Sequence, residues 1–128
     1  MLHKKHFSLK EAQDSLPEIK NQLAKIIELK SSLDSQNYDI YKHQLFGGIG
    51  MNGSGKYPPD MTELIRLVAL INETGIIIKD LNKGLIDFPH LRNNGEEVYL
   101  CYLYNENEIE FWHRIEDGFA GRRSISEL

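Results

Sequence analysis

The chain has 128 residues, with 15 Lys and Arg against 19 Asp and Glu, a formal charge of −4 with neutral His, and 41% hydrophobic and 27% charged residues. That is ordinary globular composition for a single domain over residues 1–128, and its acidic balance argues against a phosphate-backbone binder, which needs clustered Lys and Arg. No apolar run approaches the ~20 residues of a membrane span, so neither nucleic acid nor a membrane is an expected partner.

The acidic excess lies wholly in residues 65–128. One cysteine, Cys101, allows neither an intramolecular disulfide nor a multi-Cys zinc site. Residues Met1 to His6 have no apolar signal-peptide core, and a cytoplasmic location is expected.

In chain order, Ser8 followed by Glu11 is a capping box, in which each side chain satisfies an orphan backbone N–H of a first helical turn. Pro17 is tolerated at a first turn or a kink, so the pattern predicts a short helix over about 8–15 and a long one over about 17–45. The apolar positions Ile19, Leu23, Ile26, Leu33 and Ile40 keep helical spacing, with Lys30 and Asn37 interrupting the stripe. Residues 46–59, rich in Gly and closed by Pro58-Pro59, read as a flexible connector. Asp60 or Pro59 opens the next helix, whose Met61, Leu64, Ile65, Val68 and Ile71 form one stripe until Gly75 caps it.

After Gly75 the period becomes that of strands: 76–80, 84–88, 97–104 and 108–114 are rich in β-branched and aromatic residues. The last two flank Asn105-Glu106-Asn107 and predict a hairpin. A register symmetric about Asn105 to Glu108 pairs Tyr104 with Ile109, Tyr102 with Phe111 and Leu100 with His113, all on the core face. Tyr99, Cys101, Leu103, Glu108, Glu110 and Trp112 then share the other face, an aromatic patch rimmed by carboxylates. Such a patch is a contact surface or a shallow pocket, or it is covered by a second helix or by the N-terminal arm.

A helix of about 29 residues spans ~43 Å, against a radius of gyration of about 14 Å for a compact chain of this size. Its partner, at ~24 Å, cannot cover it. Either the long helix breaks near Ser35 to Asn37 or its stripe packs on a second subunit, and a homodimer through the helical hairpin, with coiled-coil character, is the expectation.

Several motifs suggest chemistry. Gly48-Ile49-Gly50-Met51-Asn52-Gly53 fits G-x-G-x-x-G, and Gly50 through Lys56 fits most of a phosphate loop. Both patterns need a strand before and a helix immediately after, and here a helix precedes while Tyr57 and Pro58-Pro59 follow. Cys101 and His113 are residue types of a thiolate and its base, but the predicted register points them to opposite faces. His113 with Glu116, Asp117 and Asp87 is a better constellation, since an imidazole and two carboxylates can hold a divalent metal with open positions; a histidine satisfied at a strand end is the simpler alternative. Gly118-Phe119-Ala120-Gly121-Arg122-Arg123 is a glycine-flanked turn ending in two guanidiniums. It can form an anion-binding nest, or Arg122 can pair internally with Asp87, Asp80 or Glu116.

Taken together, Phe7-Ser8, Glu11-Ala12, Leu16-Pro17, Lys79-Asp80, Gly84-Leu85-Ile86-Asp87-Phe88-Pro89, Leu100-Cys101, Ile109, Phe111-Trp112-His113 and Gly118-Phe119-Ala120-Gly121-Arg122 resemble the prokaryotic domain of unknown function family 2203 over nearly the whole chain. The resemblance implies no activity. Asp87, Trp112, His113, Gly118, Gly121 and Arg122 are where it coincides with the physical reading, and they are the candidate ligand-binding residues. His113, Asp87 and Glu116 are the candidate metal ligands.

The expected fold is α+β: a long antiparallel helical hairpin, about 8–74, with a small, mostly antiparallel sheet of about four strands in residues 75–128. The leading functional expectation is a cytoplasmic, homo-oligomeric, non-catalytic module. It would bind a small anionic ligand near Asp87, His113 and Arg122, or a protein partner on the Trp112 face. The alternative is a hydrolase using a divalent metal as its cofactor, with Arg122 gripping a small anionic substrate.

Overall fold

The computed structural model describes residues 1–46 and 57–128. The two phosphate-binding patterns and most of the expected connector 46–59 lie outside the described residues.

Helix α1 spans Leu9–Ser35. Its capping box is complete: Ser8 Oγ accepts from the Glu11 N–H and Glu11 Oε1 accepts from the Ser8 N–H. Two expectations are corrected here. Pro17 does not divide the helix, because Ala12 and Leu16 before it and Ile19 and Leu23 after it lie on one buried stripe while the proline itself faces solvent; packing of that stripe outweighs the lost helical hydrogen bond. Nor does the helix reach residue 45. Asn37 takes the left-handed conformation at φ 56°, the Tyr38 N–H donates to Leu33 O and the Asn37 N–H to Asp34 O, which is a complete Schellman stop. The chain then continues in two short 3-10 turns, Ile40–Lys42 and Gln44–Phe46.

Helix α2 spans Pro59–Glu73, with Pro59 in the first turn where its missing N–H costs nothing. Gly75 follows the helix at φ 96°, beneath the Lys5 side chain. Ser32 Oγ donates to Asp60 Oδ2 at 2.5 Å and ties the two helices at one end. The apolar stripe of α1 is buried within the chain: Ala12, Leu16, Ile19, Leu23, Ile26, Leu29 and Leu33 share one core with α2 and the sheet. The length of α1 that α2 leaves uncovered lies instead against the β-rich half, where Gln13 Nε2 donates to Ile109 O and Gln13 Oε1 accepts from the Ile109 N–H. The length argument for a second subunit therefore loses its premise.

Five strands, β1 Ile77–Asp80, β2 Leu85–Leu91, β3 Glu97–Leu103, β4 Phe111–Arg114 and β5 Arg123–Ser124, form an antiparallel meander in chain order. The fifth, of two residues, adds to the four expected. Ile86, Phe88, Val98, Leu100, Tyr102 and Trp112 face the helices and complete the core. The fold is thus the expected α+β arrangement, with the helical pair on one face of the sheet.

The hairpin register is one residue away from the expected one. Leu100 faces Trp112, Tyr99 faces His113 and Cys101 faces Phe111. The cause is the connection between β3 and β4. The Glu106 carboxylate accepts from the Leu103 N–H, the Tyr102 hydroxyl donates to the carbonyls of Tyr104 and Glu106, and Ile109 is taken by Gln13. Residues 104–110 therefore form a closed loop rather than extending both strands. A slip of one residue exchanges the faces of the whole strand: Trp112 moves into the core and His113 to the outer face.

Candidate functional site

Asp87 on β2, Cys101 on β3 and His113 on β4 meet on the outer face of the sheet. Asp87 is paired directly with Cys101, and His113 reaches across β3 to bring Nε2 within 3.1 Å of Asp87 Oδ1. Their candidate ligand atoms lie within 4.8 Å of one another. All three are inaccessible to bulk solvent, at 2%, 0% and 4% exposure respectively. Each belongs to a regular strand, so the backbone ladder rather than a loop sets their separation.

The second ring nitrogen of His113 is also fixed: Nδ1 donates to Arg114 O at 2.8 Å. Since a carbonyl only accepts, Nδ1 carries a proton, and Nε2 is the atom presented to Asp87. Burial pulls the imidazole pKa down, but the hydrogen bonds to Asp87 and to the backbone, with the Asp87 charge, outweigh it and leave it above its ordinary value. Burial and then the neighbouring Asp87 charge push the Cys101 thiol up to about 12. The sulfur is a neutral thiol near pH 7, not a nucleophilic thiolate. Cys101 and His113, expected on opposite faces, thus share one face, without forming an activated dyad.

A cavity of about 170 Å³ lies over this cluster, lined by Lys79, Tyr99, Asp117, Gly118 and Phe119 as well as by the cluster itself. Lys79 sits at the irregularity in β1, where the register shifts between Ile78 and Asp80, with Nζ 5.5 Å from the Tyr99 ring centre. The Tyr99 hydroxyl meets His3 Nε2 at 2.7 Å, and its ring packs edge-on against His113. The N-terminal arm borders the same face: the Leu2 and His3 N–H groups donate to Glu97, which also pairs with His6 at 2.6 Å.

The remaining candidates go elsewhere. Trp112 is 1% exposed, with its indole N–H donating to Ser124 O and its ring between Arg92 and Arg123; it offers no contact face. Glu116 is exposed in the turn after β4 and outside the Asp87 cluster. Cys101 is the third member of the cluster instead, because the observed register puts His113 on the sheet face that Asp87 and Cys101 share. Arg122 pairs internally, as one alternative held, but with Glu106 rather than Asp87, Asp80 or Glu116: Nη2 reaches both carboxylate oxygens at 2.6 and 2.7 Å. Its guanidinium lies between Phe111 and Phe119, so it is committed rather than free to grip an anion. Gly121 packs on Asp117, where a Cβ would come within 2.7 Å of the Asp117 Cβ, whereas Gly118 borders the cavity.

Tyr99 and Cys101 line the cavity on the face where the sequence suggested a shallow pocket, whereas Lys79 was missed as a cavity residue. The available signal was Asp87 itself, a carboxylate inside an apolar strand that needs polar neighbours on its own face.

Fold and site define a class: a small α+β protein with a helical pair on one face of an antiparallel meander and a buried Asp, Cys and His cluster on the other. The chain belongs to the family described as "Uncharacterized conserved protein (DUF2203)", which matches residues 5–125. No curated protein and no solved structure matches it. Among the described residues no helix is long and apolar enough to cross a membrane.

Proposed function

We propose that the chain is a small, non-catalytic, cytoplasmic module that binds an ion or a very small molecule in the outer-face cavity. The cavity over Asp87, Cys101 and His113 carries this reading. Ligand pockets for drug-sized molecules run to about 300–1,000 Å³, and a water occupies about 30 Å³ of liquid. At about 170 Å³ the space suits a hydrated ion or a few heavy atoms. The groups present there without a metal support a binding rather than a catalytic reading: the thiol is buried and neutral, and His113 has both ring nitrogens engaged.

The second reading, a metal-dependent hydrolase of a small anionic substrate, draws support from the same cluster opening beside Lys79. It loses two of its expected residues, since Glu116 is remote and Arg122 is held by Glu106.

Native mass spectrometry of protein purified without chelator tests the first reading. The expected spectrum shows an added mass per chain that disappears in Gly118→Trp, a cavity-lining position whose backbone tolerates a side chain. Chains with no added mass, in the wild type and after incubation with divalent metals or small carboxylates, would overturn it. The same spectrum reads the subunit number, and with it the homodimer.

A further inference from the structure

We propose that Asp87, Cys101 and His113 form a three-ligand site for a divalent cation of the zinc class, with the fourth coordination position facing the cavity. The inference deepens the binding reading above and rests on it.

Four observations converge. Zinc takes oxygen and nitrogen ligands at about 2.0–2.2 Å and sulfur at about 2.3 Å, which places tetrahedral ligands roughly 3.3–3.8 Å from one another. Here His113 Nε2 and Asp87 Oδ1 are 3.1 Å apart and the whole set falls within 4.8 Å, so side-chain rotations alone can close the site. Secondly, metal-bound imidazoles characteristically donate their other N–H to a carbonyl or carboxylate, which fixes the ring; the Nδ1 donation to Arg114 O does this and leaves Nε2 as the ligand atom. Thirdly, a thiolate, an imidazole and a carboxylate together are a borderline-soft donor set, suited to zinc or cobalt rather than to magnesium or calcium, which take oxygen.

The fourth observation is the open side of the cluster: the cavity of about 170 Å³ over it is bounded by Lys79, Asp117 and Gly118 besides the three ligands themselves. The cavity above has room for a water on the fourth position.

Cys101 is the sole cysteine of the chain, which makes a sulfur-specific signal site-specific. Tag-free, chelator-stripped full-length protein is titrated with cobalt(II) and followed for a thiolate-to-cobalt charge-transfer band in the near ultraviolet. The expected band saturates at one cobalt per chain, is abolished by zinc, and is missing from Cys101→Ser protein shown by circular dichroism to be folded. His113→Gln is expected to weaken cobalt binding at least tenfold while keeping the band at saturation. No band in the wild type with cobalt in excess would overturn the proposal, and this readout does not depend on either variant folding. If the band is missing while native spectra show a non-metal molecule lost in Gly118→Trp, the metal site fails and the cavity reading stands. If neither is seen, both fail.

Discussion

His113 on β4 and Asp87 on β2 are not neighbours in the sheet, yet Nε2 and Oδ1 meet at 3.1 Å across the intervening β3. This is a diagonal interaction over the strand that carries Tyr99 and Cys101, and both partners are almost fully buried. In metal-free protein, removing either one leaves the other buried without its partner, at a cost of about 3–5 kcal/mol. Chemical denaturation of Asp87→Asn, His113→Gln and the double variant should show the double costing clearly less than the sum of the singles. Strict additivity would mean that the pair is not coupled.

Arg122 gives a test of a different kind. Its Nη2 donates to both oxygens of Glu106 and its guanidinium lies against Phe111 and Phe119, and a lysine cannot reproduce that planar stacking. Arg122→Lys is expected to lower stability by about 1–3 kcal/mol, read as a shift in the denaturation midpoint. An unchanged midpoint would show the charge alone to suffice.

Two turn glycines separate conformational strain from packing. Gly84 and Gly95 both have positive φ, at 69° and 87°. A Cβ at Gly95 meets nothing, whereas at Gly84 it would come 2.8 Å from the Tyr104 Cβ and 3.0 Å from Ile27 Cδ1. Gly95→Ala should cost about 1–2 kcal/mol for the backbone alone. Gly84→Ala should cost about 2–5 kcal/mol, since overpacking adds to the strain. Equal thermal shifts in the two variants would contradict this difference.

The N-terminal arm predicts an acid dependence. Burial raises the Glu97 pKa, but hydrogen bonds from His6 and from the Leu2 and His3 N–H groups, with the His3 charge, outweigh it and hold the carboxyl at about 2. A depressed folded-state value contributes stability above the unfolded pKa, about 4.3 for Glu, and loses it as pH falls toward 2. Melting temperatures measured from pH 5 down to pH 2 should therefore fall less steeply for Glu97→Gln than for the wild type. Parallel curves would remove Glu97 as the group that holds the arm.

Local chemistry in the sequence was enough for the elements and their class. The Ser8 and Glu11 capping box starts α1 where expected, Pro59 and Gly75 bracket α2, and four of the five strands follow from β-branched and aromatic runs. These signals act over a few residues and need no knowledge of what packs on them. Pro17 and Asn37 show where that stops: each is ambiguous by itself, and the buried stripe on both sides of Pro17 and the Schellman bonds after Ser35 settled them in opposite directions.

The site lay further out of reach. Asp87, His113 and Gly118 were legible as candidates, but their company depended on a single residue of register between β3 and β4. That register was decided by Gln13, 96 residues before Ile109, which clamps Ile109 in the connecting loop, and by Glu106 closing the turn from within. Preferences for helix and strand are legible residue by residue, because propensity, capping and periodicity are local. The face of the sheet that each β4 side chain occupies is settled only on folding, because strand register is fixed by long-range contacts, and a shift of one residue turned Trp112 into core and set His113 beside Asp87 and Cys101.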